Sequence, residues 1–267
     1  MPYHRLSTAK IARAVGCHPN TVRFYEQIGF IAPAPRSPKG YRLYSEAHLD
    51  QMRLARLGMQ GSWPGPNIRR TIIALIRTSA AQDYPTALDL AYQHLSVVRV
   101  EREQAETAVA FLHNWLLGRA GQGQAAPGLL IGEVARLLNI TADALRNWER
   151  NNLVRVPRNP ANGYRMYRAA EIGRVRVIRL MRQSGYSPMA ILRMLTSLDQ
   201  QFPMEQSTPQ DTSGEVPSTE DLRRALDTPR PDEEVYFAAD RWLSALAEFE
   251  QRAKDMIAIV EEMVKKY

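Results

Sequence analysis

One cysteine, Cys17, stands in a chain of 267 residues. A disulfide framework within the chain is excluded, and so is an iron–sulfur or multi-thiolate metal site built from this chain alone. Long apolar runs are missing as well. None approaches the roughly 20 residues of a membrane span, and the opening MPYHRLST lacks the apolar core of a signal peptide. No membrane partner and a cytoplasmic location are expected. The histidines His4, His18, His48, His94 and His113 have no metal-ligand spacing, GQGQAAPG follows no strand and is not a phosphate loop, and no nucleophile is paired with a base. No metal, no cofactor and no enzymatic activity are expected.

Acidic residues are scarce in two stretches of the chain. Residues 1–72 carry eleven Lys and Arg against three Asp and Glu, a net +8, and residues 129–198 carry twelve against four, again +8. Residues 73–128 come to −1 and residues 199–267 to −8. Two equal basic blocks are the electrostatic footprint of a polyanion-binding module present twice.

The sequence agrees, because it repeats. Ser7 to Ile72 lie ungapped on Leu130 to Leu195 with 123 added to each number. TVRFYEQIGF becomes ALRNWERNNL and SPKGYRLYSE becomes PANGYRMYRA, so Arg23, Glu26, Gly40, Tyr41, Arg42 and Tyr44 recur as Arg146, Glu149, Gly163, Tyr164, Arg165 and Tyr167. A register held over this length marks one folded unit used twice.

Each copy opens with helical periodicity: Ile11, Val15 and Val22 in the first, and Val134, Leu137, Leu138 and Leu145 in the second. The breaks GCHPNT and NITADA follow, where Pro19 suits a first helical turn and Thr141 an N-cap. Gly29 and Asn152 suit left-handed C-caps. Next come IAPAPRSPKGYRLYS and VRVPRNPANGYRMYR, which predict a two-stranded ribbon turning at Lys39-Gly40 and Asn162-Gly163. Helix, turn, helix and basic ribbon make a winged helix in outline, and two further amphipathic helices follow in each copy.

A second correspondence, between HLSVVRVEREQAETAVAFLHNWL and WLSALAEFEQRAKDMIAIVEEMV, has an offset of 148. Its apolar ladders run Leu95, Val98, Arg102, Ala105, Val109, Leu112, Leu116 and Leu243, Leu246, Glu250, Ala253, Ile257, Val260, Val264, spacings of a coiled-coil seam. Arg102 and Glu250 occupy the same seam position, and in an antiparallel pair with its dyad there they would face one another. The extra residues fall in a segment rich in Pro, Ser, Thr and acids, read as an exposed loop with one helical turn. GRAGQGQAAPG, with no apolar side chain larger than alanine, reads as a flexible linker with a reach of roughly 18 Å.

The stretch from Thr21 to Gly58 resembles the N-terminal module of MerR-family transcription regulators, a helix-turn-helix ending in Arg-Tyr-Tyr-Glu, a Gly-Leu step, and a wing containing Gly-Tyr-Arg-x-Tyr. The second copy is similar at the same points. Phe24 replaces the first aromatic of the pattern, and Asn147-Trp148 stand in the second copy in place of both. The resemblance implies a mainly α fold: two winged helix-turn-helix domains, each followed by a long helix, the long helices pairing as an antiparallel coiled coil in a pseudo-dimer. The expected divisions are 1–80, first winged domain; 81–118, first long helix; 119–128, linker; 129–198, second winged domain; 199–235, acidic insertion; and 236–267, second long helix. It further implies a sequence-specific regulator on a pseudo-palindromic promoter. Double-stranded promoter DNA, RNA polymerase and a small-molecule effector would be its partners. Binding would distort promoter DNA and an effector would switch the distortion. The paired cysteines that metal-sensing relatives would need after the long helix are missing.

The recognition helices offer Asn20, Thr21, Arg23, Phe24 and Tyr25 in one copy and Thr141, Asp143, Arg146, Asn147 and Trp148 in the other; long donors read base edges and polar groups hold phosphate. The wings add Arg36, Lys39, Tyr41 and Arg42, and Arg158, Asn162, Tyr164 and Arg165. Tyr44 and Tyr167 are expected beneath the wings, and Glu26 and Glu149 are expected to orient an arginine. Cys17 aligns with Ile140 and reads as a small core residue. Three readings remain open at this point: contact with a protein partner through the acidic insertion; the regulator, as a monomeric pseudo-dimer or a homodimer; and a small-molecule-binding or drug-sequestering protein on the same scaffold. The small-molecule reading would use Trp63, Trp115, Tyr236, Phe237 and Trp242 around an apolar pocket.

Overall fold

A computed structural model of the chain describes residues 6–61, 65–119, 128–201, 217–227 and 241–267, apart from the side chains at 65, 115–119 and 201. The fold is mainly α, as the sequence predicts. The described residues form eleven helices, and the only β pairing among them is four isolated bridges. They divide into two compact units, one drawn from Met1–Val100 and Leu246–Tyr267, the other from Glu101–Ala245. The divisions expected from sequence assign each long helix whole, whereas the compact units cut both of them. Trp63, Tyr236, Phe237 and most of the linker and insertion lie outside the described residues, as does the side chain of Trp115.

In the first unit, α1 (Thr8–Ala14) and α2 (Pro19–Gln27) form the helix-turn-helix. Ser7 caps α1, and His18 caps α2, its Nδ1 accepting from the Asn20 amide at 3.1 Å. Pro19 occupies the first turn, where its missing N–H leaves no helical bond unmade. Gly29 ends the segment with φ +74°, the left-handed region that favours glycine. Then follow α3 (Glu46–Gly58), α4 (Gly65–Ala80) and the start of α5 (Tyr84–Arg119). Ile11, Val22, Tyr44, Met52, Leu54, Ile68, Leu75 and Ile76 supply the buried core.

The last helix, α11 (Trp242–Lys266), closes this unit. A Cβ at Gly58 would lie 2.9 Å from Ile72 and 3.0 Å from Met256, so the bare glycine lets α11 approach α3 and α4. Within the unit α5 and α11 run antiparallel: Tyr92 donates to Glu261 at 2.8 Å, and Arg99 reaches Glu250 at 3.2 Å. Glu250 is also reached by Lys254 at 3.1 Å. At the end of α11, Lys266 and Tyr267 both donate to the buried Asp50.

The second unit repeats the plan with α6 (Ile131–Leu138), α7 (Ala142–Arg150), α8 (Ala169–Gln183) and α9 (Pro188–Gln201). Thr141 caps α7, its hydroxyl accepting from the Ala144 amide at 3.0 Å. Asn139 and Asn152 adopt φ of +48° and +58°, and Asn152 stands where the first copy has Gly29. Gln51 in α3 and Arg174 in α8 occupy matching buried positions and act as struts. Gln51 accepts from the Ala32 amide and donates to the Ser79 carbonyl; Arg174 donates to the Leu153 carbonyl and forks onto Asp199. Each ties the chain leaving the recognition helix to the end of the fourth helix.

The insertion corrects the expectation of a loop with one helical turn. Thr219–Asp227 form a nine-residue helix, α10, packed on α9 through buried Leu222 and Leu226. Ser218 and Asp221 exchange bonds in a capping box, Arg223 pairs with Glu106, and Asp227 accepts from the amides of Leu243 and Ser244 at the start of α11. Trp242 is buried against Gly185, where a Cβ would meet its indole Nε1 at 2.5 Å. Trp242 therefore packs the interior of this unit and does not line an open pocket.

His94, 2% exposed on α5, carries a testable consequence. The Thr71 hydroxyl donates to the Ile68 carbonyl at 2.8 Å, so at 2.7 Å it accepts from the Nδ1–H of His94 and leaves Nε2 as the unprotonated nitrogen of a neutral ring. Burial, and then the Arg252 guanidinium, hold its pKa down at about 4 from an ordinary 6.5. The unfolded chain therefore binds a proton that the folded chain does not between these values. The contribution of neutral His94 to stability is complete above pH 6.5 and falls as pH drops towards 4, by at most roughly 3 kcal/mol. Urea midpoints measured across this range should show that fall in the wild type and a flatter curve in His94→Asn; equal slopes would contradict the assignment.

Candidate nucleic-acid interface

Four positions of each recognition helix form one exposed stripe at helical spacing. On α2 these are Asn20, Arg23, Phe24 and Gln27, and on α7 they are Asp143, Arg146, Asn147 and Arg150. Arginine is shared and the other three positions differ. Arg23 donates to Asn20 at 3.1 Å; Arg146 forms an ion pair with Asp143 at 2.6 Å. Both arginines are exposed and lie on the outer face of their helix. Thr21 is half-buried and Thr141 serves as the cap of α7.

The carboxylate near the end of each recognition helix fixes the wing. Glu26 accepts from Arg42 Nε at 2.7 Å, from the Tyr44 hydroxyl at 3.0 Å and from the Ala34 amide at 3.2 Å. Glu149 accepts from Arg165 Nε at 2.6 Å. Tyr44 and Tyr167 lie buried beneath the wings, but the Tyr167 hydroxyl is buried without a hydrogen-bond partner. Burial and then the nearby Glu26 carboxylate push Tyr44 up to about 12, so its hydroxyl stays protonated and donates. The arginines keep their second edge for an outside anion, since only Nε is spent on the glutamate.

The wing itself is slighter than the predicted two-stranded ribbon: one isolated bridge joins its two limbs, Arg36 with Arg42 and Arg158 with Arg165, and a second ties its end to the segment before the first helix, Tyr44 with Leu6 and Tyr167 with Leu129. Its bonds also correct the register. Leu43 N donates to Pro35 O and Ser37 N to Tyr41 O; the counterparts are Met166 to Pro157 and Asn159 to Tyr164. Pro35-Arg36-Ser37 thus matches Pro157-Arg158-Asn159 at an offset of 122, while the residues beyond return to 123. The second turn is one residue longer and the approach to it one residue shorter. Arg36 and Arg158 play the same part, each donating to the carbonyl of the turn glycine, Gly40 at 3.3 Å and Gly163 at 3.2 Å. Both glycines have positive φ, as the turn requires. Lys39 is exposed, and Tyr41 and Tyr164 project at 72% and 63% exposure.

In the second unit these side chains border an open cleft of about 580 Å³, lined on the basic side by Arg136, Arg146, Arg158 and Arg165, with Tyr164 and Glu133. Arg136, on α6, was not legible as a site residue because nothing in the first helix's periodicity points to the wing. Gln27 and Arg150 were legible from the spacing of the stripe. Tyr25 is corrected: at 8% exposure, its ring edge-on to Phe30 at 5.5 Å, it belongs to the core, while Trp148 in the second copy is half-buried. Arg53 is engaged within its own helix by Asp50 at 2.9 Å. Cys17 is half-buried, and burial, partly offset by Arg56, raises its thiol pKa.

This geometry defines a class: a winged helix-turn-helix protein in which one basic module occurs twice. Comparisons place it further. The profile described as "MerR family regulatory protein" matches residues 7–44, and "MerR HTH family regulatory protein" matches residues 129–198. A "Probable heavy metal-dependent transcriptional regulator" of Haemophilus influenzae is 28% identical over 115 residues, covering 41% of this chain and 84% of that protein. The "HTH-type transcriptional regulator CueR" of Escherichia coli O6:H1 is 34% identical over 55 residues, 21% of this chain and 41% of the relative. The "HTH-type transcriptional regulator ZntR homolog" of Haemophilus influenzae is 43% identical over 42 residues, 16% and 31% respectively. The chain thus spans less than half of the latter two. No solved structure is significantly similar to the chain. The chain thus carries two MerR-like units, and the matched relatives are named as transcriptional regulators. No described helix is long and apolar enough to cross a membrane.

The two glutamates offer a direct test of how each wing is held. Glu26→Gln removes the charge from an acceptor of three bonds and should lower stability by about 1 to 3 kcal/mol; Glu149→Gln, losing one bond, should cost less. Denaturant midpoints of the two variants compare them, and equal losses would contradict the unequal ties.

Proposed function

We propose that this chain is a single-chain counterpart of a MerR dimer: a sequence-specific DNA-binding regulator in the cytoplasm whose two units take the two halves of one pseudo-palindromic promoter site. The observation that carries the reading is the pairing, in both units, of an exposed recognition-helix arginine with a wing arginine held by the helix's own glutamate. Such an arrangement sets base-reading and phosphate-holding groups at a fixed spacing. The equal net charge of +8 on each basic stretch supports equal grip on two half-sites. The antiparallel course of α5 and α11 within the first unit supports pairing of the long helices inside one chain. Arg102 and Glu250, at matched seam positions, favour pairing unlike helices over like ones.

Family likeness adds RNA polymerase as the partner on the promoter, distortion of the spacer as the mode of action, and a small molecule as the switch. The metal dependence in the name of the Haemophilus relative is not carried over. Cys17 is the chain's one cysteine, and no group of three or more His, Cys, Asp or Glu among the described residues is placed to hold a metal ion. The sequestering alternative has Trp242 as its one described aromatic, and that side chain is buried.

Arg23→Ala and Arg146→Ala should each weaken binding to a selected site by about 1 to 3 kcal/mol and relax preference in one half of it, while Lys39→Ala should reduce the salt dependence across all sequences. Equilibrium titrations on selected and random duplexes separate these effects. An arginine variant that binds both duplexes as the wild type does would contradict the proposal.

A further inference from the structure

The two exposed stripes differ most at their centre. Phe24 on α2 and Asn147 on α7 occupy the same position, one residue beyond the shared arginine. Phe24 is 53% exposed, although its neighbours on the stripe, Asn20, Arg23 and Gln27, are all polar. Its ring is tilted at 54° to that of Tyr25, centroids 6.2 Å apart, and Tyr25 is in turn anchored on Phe30. The ring is therefore exposed, but the aromatic beneath it limits where it can point. A phenyl ring has no donor or acceptor for a phosphate or a base edge. In the major groove the apolar feature available to it is the C5 methyl of thymine.

Asn147 has the opposite chemistry. Asn151 Nδ2 donates to its Oδ1 at 2.5 Å, which orients the side-chain amide and leaves its NH2 group and one oxygen lone pair to face outward. A carboxamide so presented matches the N6–H2 donor and N7 acceptor of adenine.

We infer that Phe24 and Asn147 make the two half-sites unlike: Phe24 selects thymine through its methyl group beside the base read by Arg23, and Asn147 selects adenine beside the base read by Arg146. The inference rests on the DNA-regulator reading and adds the base identities to it. It also accounts for the arrangement of the stripes, where the arginine is kept while the flanking chemistry changes from apolar to hydrogen-bonding.

The test uses the full chain and duplexes selected from random DNA. Each thymine of the preferred site is replaced in turn by uracil, which differs only in lacking the methyl. At one position, in one half, the replacement should lower wild-type affinity about three- to fivefold, the scale of one buried methyl group. Phe24→Leu should keep that sensitivity and Phe24→Asn should lose it, and selection with Phe24→Asn should turn the position from thymine to adenine. A wild-type chain with a clear preferred site but no sensitivity to uracil at any thymine overturns the inference and leaves the regulator reading standing. A chain that selects no preferred site overturns both.

Discussion

The carboxylate at the end of each recognition helix holds that helix and its wing together. Glu26 and Glu149 each take the Nε of a wing arginine, and Glu26 also takes the Tyr44 hydroxyl and the Ala34 amide, so the small wings are tied directly to the helix. A wing of that size has too little β pairing to hold itself in place. A charge-assisted bond to a helix that is itself fixed by buried Val22 or Leu145 supplies the missing constraint. The glutamate therefore needs to face inward, despite its charge, in a surface otherwise built to attract a polyanion. It neutralises one arginine edge and directs the other.

The units use this constraint unequally. In the first, Tyr44 and the Ala34 amide complete the carboxylate's shell; in the second, the Tyr167 hydroxyl is buried without a partner. The struts differ in kind as well, a neutral Gln51 in one unit and the Arg174–Asp199 pair in the other. The second unit also has α10, which links α9, α5 and the first turn of α11 through Leu226, Arg223 and Asp227. The wing arginines and the exposed recognition-helix arginine recur, whereas the three other stripe positions and the residues bracing the helices behind them have diverged. A duplicated protein on two unlike half-sites would show this division.

Much of this was legible in the sequence, because the governing forces are local. Caps at Ser7 and Thr141, proline at the first turn of α2, left-handed residues at Gly29 and Asn152 and glycine turns at Gly40 and Gly163 all follow from short-range stereochemistry. The repeat exposed the duplication at once. The one-residue shift in the wing was hidden because two opposite changes, before and within the turn, cancel by Gly40. The burial of Tyr25 depends on Phe30 reaching back beneath it, which helical spacing alone does not determine. The α10 helix was masked by polar composition around it, although its Ser218–Asp221 box was a signal present in the sequence. The division of both long helices between compact units depends on contacts between residues far apart in the chain, such as Tyr92 with Glu261, which no periodicity encodes.

In the proposed arrangement one chain contains both halves of the DNA-binding device. The mass of the complex between the full chain and a selected duplex, measured by native mass spectrometry at concentrations near the dissociation constant, tests it most directly. One 30.3 kDa chain per duplex is the expected result. Two chains on every bound duplex, with no single-chain complex at any ratio, would contradict it.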